Sequence, residues 1–302
     1  MEAKSSMADA DKLRNQIPKV ARTKRRRTLS DTGPELKPGE MRTRSQIQTA
    51  QPPGSLHKPV PWPDIIPAGQ WANYRSAIEA ARNAGLRFML GGGFGLAIYT
   101  GRWRNTKDID FYILPRDRDP MIAALSNAGF IDYFDQRPYD PGWIYRSTRE
   151  GIIVDIIWSM ANRRAEVDEI WFERAHPVQI REESMHVIPP EELLWCKLYI
   201  LQRDHFDWTD IFNLLYAAGP QLDWDHLLER VEPDTPLLQA ALTVFSWISP
   251  NRAREFPDKL RKQLGLSKPE KISKGEQLRR VKLLDSRAWF AAFQREDQYL
   301  EV

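Results

Sequence analysis

The sequence predicts an α+β fold: a small mixed β-sheet flanked by helices, followed by a lobe built only of helices. Three observations carry this. Strand-like runs alternate with helical patterns between residues 68 and 188. Residues 88–90 and 151–158 are continuously apolar, as expected for strands buried at the centre of a sheet. Beyond Pro189-Pro190 the apolar spacing is helical throughout. A change from mixed strands to helices alone marks an α+β body with a helical lobe.

At 302 residues the chain has room for one sizeable domain with additions, or for two modest domains. No apolar run approaches the roughly 18–20 residues of a membrane helix, and the polar, basic start carries no apolar h-region. A cytoplasmic protein without membrane contact is expected. Cys196 is the only cysteine, which excludes an internal disulfide and a cysteine-rich zinc site, and its apolar surroundings predict a buried thiol. The net charge of +3 is polarised: residues 1–60 carry +7, residues 61–250 carry −9 and residues 251–302 carry +5. An acidic body with basic ends fits a cation-binding site flanked by anion-attracting segments, and fits ordinary solvated surfaces equally.

Residues 1–67 read as a disordered basic tail and a Pro-rich linker, poor in aromatics. The run Lys24-Arg25-Arg26-Arg27 suits nucleic-acid contact or a solvated tail. Order begins near Ala68, where Trp71, Tyr74, Ala77, Ile78 and Ala81 recur at helical spacing until Gly85. A strand (Phe88, Met89, Leu90), three glycines, a short apolar helix, a basic turn and a second strand follow. Next come a helix from about Asp119 to Ala128, strands at 130–134 and 143–147, and the apolar strand 151–158. An amphipathic helix is expected over Ala165–Ala175 and a short strand over Met185–Ile188, which closes a mixed strand-and-helix domain at 68–188. The helical lobe, 189–250, should hold helices at 191–203, 208–218, 224–230 and 236–248. Residues 251–302 read as a basic helical extension, with helices around Leu260–Leu264 and Leu278–Phe293.

The chemistry concentrates in Arg87–Ile113. Asp108 and Asp110 are two apart on a strand, so both side chains leave the same face while Ile109 and Phe111 face the other. Two like charges on one face repel, and hard carboxylate oxygens suit Mg²⁺. Two-metal phosphoryl-transfer sites hold ions about 3.5–4 Å apart, a spacing that neighbouring carboxylates bridge. Gly91, Gly92 and Gly93 let a bulky anion approach the backbone, and the helix after them aims free N–H groups at it. Arg102, Arg104 and Lys107 lie on the turn before the aspartates, where they can meet phosphate oxygens. Asp155 is the one charge in the apolar run 151–158. It is either a further site carboxylate or a strand-end acid paired with Arg146 or Arg149.

Other signatures are lacking. Leu96 stands where the third glycine of a dinucleotide-binding fingerprint would be. No P-loop, HExxH or GxSxG pattern occurs, and the five histidines are scattered.

The set Gly92-Gly93…Arg104-x-Thr106-Lys107-Asp108-Ile109-Asp110 resembles the signature of the DNA polymerase β-like nucleotidyltransferase superfamily. It is closest to the small prokaryotic minimal and abortive-infection toxin-type branches. Which two of the three glycines correspond to the family pair is open. The resemblance implies transfer of NMP from NTP to a hydroxyl acceptor (tRNA, protein or small molecule) with release of pyrophosphate. It implies two Mg²⁺ ions on Asp108 and Asp110, with Asp155 as the third acid. It further implies nucleotide binding by Gly91–Gly93, Arg104 and Lys107, and an antitoxin as partner. The segment 189–215 resembles the helical lobe of the toxin-type enzymes. By that resemblance Lys197 reaches the triphosphate, while Arg203 and Asp210 brace the lobes; on its apolar helix Lys197 is otherwise expected at solvent or snorkelling. The competing reading is a catalytically silent nucleotide- or nucleic-acid-binding protein on the same fold.

Overall fold

A computed structural model describes residues 66–284 apart from 102, 104, 105, 107 and 202–205. Its centre is a seven-stranded mixed sheet of order β3-β4-β5-β2-β1-β7-β6. The strands are β1 (Met89–Leu90), β2 (Asp108–Tyr112), β3 (Ile131–Asp132), β4 (Ile144–Arg149), β5 (Ile152–Ile157), β6 (His176–Ile180) and β7 (Glu183–Val187). β2 runs parallel to β5 and antiparallel to β1, β4 is antiparallel to β5, and β1 is parallel to β7.

The period-2 alternation of the strands sorts their side chains into two cores. Leu90, Ile109, Phe111, Tyr145, Val154 and Ile156 join Trp71, Tyr74, Ala77 and Ile78 of helix α1 (Ala68–Asn83) and Met121 and Leu125 of helix α3 (Arg118–Asn127). Met89, Tyr112, Ile144 and Ile157 face the other way, into the helical lobe. Each large apolar side chain fully buried here contributes about 1.5–3 kcal/mol. Helix α2 (Gly92–Thr100) serves both sides, giving Phe94 and Ala97 to the first core and Leu96 to the second.

The lobe contains α5 (Pro190–Leu198), α6 (Trp208–Ala218), α7 (Trp224–Val231) and α8 (Thr235–Ile248), with α4 (Glu169–Arg174) packed beside it through Trp171. Short helices α9 (Pro250–Ala253), α10 (Asp258–Gln263) and α11 (Lys274–Leu284) continue the chain. Among the described residues no helix is long and apolar enough to cross a membrane.

Several boundaries differ from expectation for physical reasons. The helix expected over 165–175 spans only Glu169–Arg174, because Ala165 takes a left-handed φ of +50° and Asp168 caps the helix by accepting from the N–H of Ile170. Strand β6 has no counterpart among the expected strands. It carries Pro177 and alternating half-exposed residues, and lies at a sheet edge where proline is tolerated. The helix expected over 191–203 stops at Leu198, and Leu201 and Phe206 then pair as an antiparallel bridge that turns the chain back. The expected tail through residue 65, and the last expected helix beyond residue 284, lie outside the described residues.

Candidate active site

Register lines up the acids. Asp110 on β2 stands opposite Asp155 on β5, and Asp155 stands opposite Arg146 on β4. In-register neighbours project to the same side of a sheet. Arg146, Asp155 and Asp110 therefore form a row across three strands, with Asp108 two residues back on the face of Asp110. This is the face that carries Tyr112 into the helical lobe.

The glycines are fitted to this strand. Gly92 adopts a left-handed φ of +47°, and a Cβ there would overlap the Asp110 carboxylate. A Cβ on Gly91 would strike the Tyr112 ring, and one on Gly93 would press on the Thr106 methyl. The Gly91 N–H donates to the Asp110 carbonyl at 3.2 Å, and the Gly95 N–H closes the first turn of α2 on the Gly91 carbonyl at 2.8 Å. The Asp110 carboxylate thus rests against the opening turn of a helix, whose unpaired N–H groups and dipole favour an anion. Thr106, two residues ahead of β2, is held on two sides. The Thr106 hydroxyl donates to the Asp108 carbonyl at 2.8 Å, and the Tyr74 hydroxyl of α1 donates to the Thr106 carbonyl at 3.2 Å.

Electrostatics follow from this crowding. Burial, then the like charges of Asp108 and Asp155, hold the Asp110 carboxyl well above the usual carboxylate range, while Lys197 and Arg146 pull it back. Burial raises Asp155 too, opposed by Arg146. Asp155 is 2% exposed, and Arg146 grips it through two bonds: Nε to Oδ1 at 2.7 Å and Nη2 to Oδ2 at 2.5 Å.

Lys197 of α5 is not at the surface. It is 4% exposed, and its ammonium donates to Asp207 and to Asp210, each at 2.7 Å. Burial alone would lower its pKa, but the two aspartates outweigh burial and raise it. Asp207, which meets this lysine, directly follows Phe206, the bridge partner of Leu201. Cys196 is buried next to it, and burial raises its thiol pKa. Arg102, Arg104, Lys107 and Arg203 lie outside the described residues.

A hard divalent cation fits part of this set. Asp108 and Asp110 are half-buried same-face carboxylates, and among the described residues no side chain hydrogen-bonds them. Arg146 hydrogen-bonds both oxygens of Asp155. Among the described residues no three His, Cys, Asp or Glu side chains gather as a group able to hold an ion. The arginine pairing is one of the two readings that the sequence leaves open for Asp155. The Gln70 amide donates to the Tyr74 hydroxyl at 2.7 Å and to the Thr106 carbonyl at 2.5 Å; the sequence reading names Tyr74 and Thr106 but not this bracing, although Gln70 and Tyr74 stand one helical turn apart on α1.

Residues 72–243 match the model of a family described as uncharacterised nucleotidyltransferase. The chain belongs to this family. The match agrees with the resemblance of the glycine and Asp-Ile-Asp motifs to the polymerase β-like superfamily. No curated protein matches the sequence. Among solved structures, this nucleotidyltransferase is similar to the antibiotic-resistance factor ANT(2'')-Ia, with 17% identity and a TM-score of 0.41 over 58% of this chain and 95% of that one. It is similar to the lincosamide antibiotic adenylyltransferase LnuA, with 18% identity and a TM-score of 0.35 over 47% and 94% of the two chains. It is similar also to JHP933 from Helicobacter pylori, with 15% identity and a TM-score of 0.34 over 65% and 93%.

Proposed function

We propose that this nucleotidyltransferase moves NMP from an NTP to a hydroxyl acceptor on RNA, protein or a small molecule, releasing pyrophosphate. The observation that supports this most is a pair of same-face carboxylates, Asp108 and Asp110, the second of which rests against the opening turn of a glycine-started helix.

In this reading, the N–H groups at the start of α2 receive triphosphate oxygens, with Gly91, Gly92 and Gly93 keeping that surface free of side chains. Arg104 and Lys107, which precede β2 in the sequence, would add positive charge. Asp108 and Asp110 would hold two Mg²⁺, with Asp155 joining one of them. The ions would supply charge stabilisation for the attacking and leaving oxygens. Lys197 balances Asp110 from the lobe side through its field, since its ammonium is held in place by Asp207 and Asp210. Catalysis then rests on positioning and electrostatics.

The test is transfer of label from α-labelled NTPs, with Mg²⁺, to tRNA, to the protein itself or to an aminoglycoside. Wild type should label at least one acceptor, and Asp108→Ala should lose that transfer by at least about a hundredfold, on the order expected when a charge-stabilising group is removed. Equal inertness of both proteins toward all three acceptors would favour the silent binding protein instead.

A further inference from the structure

Two large apolar side chains left in water meet between α5 and α6. Leu201 is 43% exposed and Phe206 55%, and an antiparallel bridge pairs them. The Phe206 ring lies on Trp208, with centroids 5.1 Å apart and planes 26° from parallel, and Trp208 meets Phe212 edge-on at 5.7 Å. Phe212 is 1% exposed, so the stack is rooted in the core of the lobe and ends in water at Phe206. An exposed ring backed by a second ring offers a flat ligand a face at little cost in conformational freedom.

This aromatic step borders the candidate site. Asp207 stands between Phe206 and Trp208 in the chain, and the Lys197 ammonium donates to it at 2.7 Å. The field of Lys197 reaches Asp110, and Asp207 is among the charges that, after burial, raise the Tyr112 hydroxyl. Tyr112 is the ring that a Cβ on Gly91 would strike, and α6, which opens at Trp208, packs on α2. The step thus stands on the lobe side of the glycine turn.

We propose, on the nucleotide-binding reading of the site, that Phe206, backed by Trp208, stacks against the base of the bound NTP. The glycine turn offers N–H groups suited to the triphosphate. The base is the flat, apolar part of such a substrate, and the step is the flat, apolar surface beside that turn. Stacking asks only for a π-face, so every base is accepted, the larger purines more firmly than the pyrimidines.

The experiment is calorimetric titration of the full chain, with Mg²⁺, by two kinds of probe. The first is the α,β-methylene analogues of the four NTPs, which cannot lose pyrophosphate; the second is inorganic tripolyphosphate, which has no base. Phe206→Leu keeps an apolar residue and removes the flat face. It should weaken the tightest-binding analogue about tenfold and leave tripolyphosphate unchanged. Phe206→Trp should bind that analogue at least as tightly as wild type. Phe206 is more than half exposed, so both variants should melt at the wild-type temperature. If Phe206→Leu binds the analogue as tightly as wild type, the proposal is overturned, the nucleotide reading stands, and the patch serves something other than a base. Equal weakening of analogue and tripolyphosphate overturns it too, because the change then acts on the phosphate end. Binding of neither probe by wild type removes the nucleotide reading, and the proposal with it.

Discussion

At the scale of single residues, the end of the glycine-opened helix is tied down as firmly as its start. The Tyr99 hydroxyl of α2 donates to the Ile188 carbonyl at 2.7 Å, so its one proton is spent. The contact of that oxygen with His176 Nδ1 at 3.2 Å therefore has the imidazole N–H donating. Burial, reinforced by the nearby Arg174, lowers the His176 pKa below its ordinary 6.5. A histidine whose folded pKa is depressed binds protons more readily in the unfolded chain. Its contribution to stability is therefore whole above about pH 6.5 and declines as the pH falls through that value toward the folded pKa. Urea midpoints measured from about pH 7.5 to about pH 5 should fall more steeply for wild type than for His176→Gln, which keeps an N–H donor and does not titrate. Parallel slopes would remove His176 from the account.

At the scale of elements, the join between α5 and α6 shows best what a sequence conveys and what it withholds. The apolar run 151–158 and the alternation through Asp108, Ile109 and Asp110 need only local periodicity, so β5, β2 and the shared face of the two aspartates are legible. The partner of Asp155 is legible only as one of two arginines, Arg146 or Arg149, because the choice depends on the register of β4 against β5, and strand pairing leaves no mark in either strand alone. Lys197 misleads for a related reason. A lysine on an apolar helix ordinarily snorkels, and only the return of the chain at Leu201–Phe206 encloses it with two aspartates. The cost of breaking that trio should be large. Lys197→Met leaves Asp207 and Asp210 buried without their shared cation, a change expected to destabilise by about 3–5 kcal/mol. A urea titration followed by tryptophan fluorescence would measure it, and a loss below about 1 kcal/mol would show that the ammonium is dispensable.

At the scale of the whole molecule, the sheet is a shared wall. One core lies between it and α1 with α3, and the other between it and the helical lobe, so Tyr112, Ile144 and Ile157 share a core with residues beyond 189. Residues 68–188 therefore lack a complete core of their own. A fragment ending at residue 188 should be insoluble, or bind hydrophobic dyes strongly, whereas residues 66–284 should unfold in one transition seen alike by fluorescence and far-ultraviolet dichroism. A soluble, cooperatively folding 66–188 fragment would contradict this. The continuously apolar runs 88–90 and 151–158 announce burial on both faces of the sheet, but they do not say which helices cover each face.

The bend at residues 91–93 carries a lesson for anyone altering this protein. Each of its three small residues abuts a different neighbour: an aromatic ring at 112, a carboxylate at 110 and a methyl group at 106. Bulk added on one side has to be taken away on the other, so Gly91 and Tyr112 can drift only in step, as can Gly93 and Thr106. Gly92 has no such freedom, because trimming the carboxylate would leave its left-handed backbone as awkward for a larger residue as before. Of the three, it is the position at which variation should be narrowest in any library selected for a folded product.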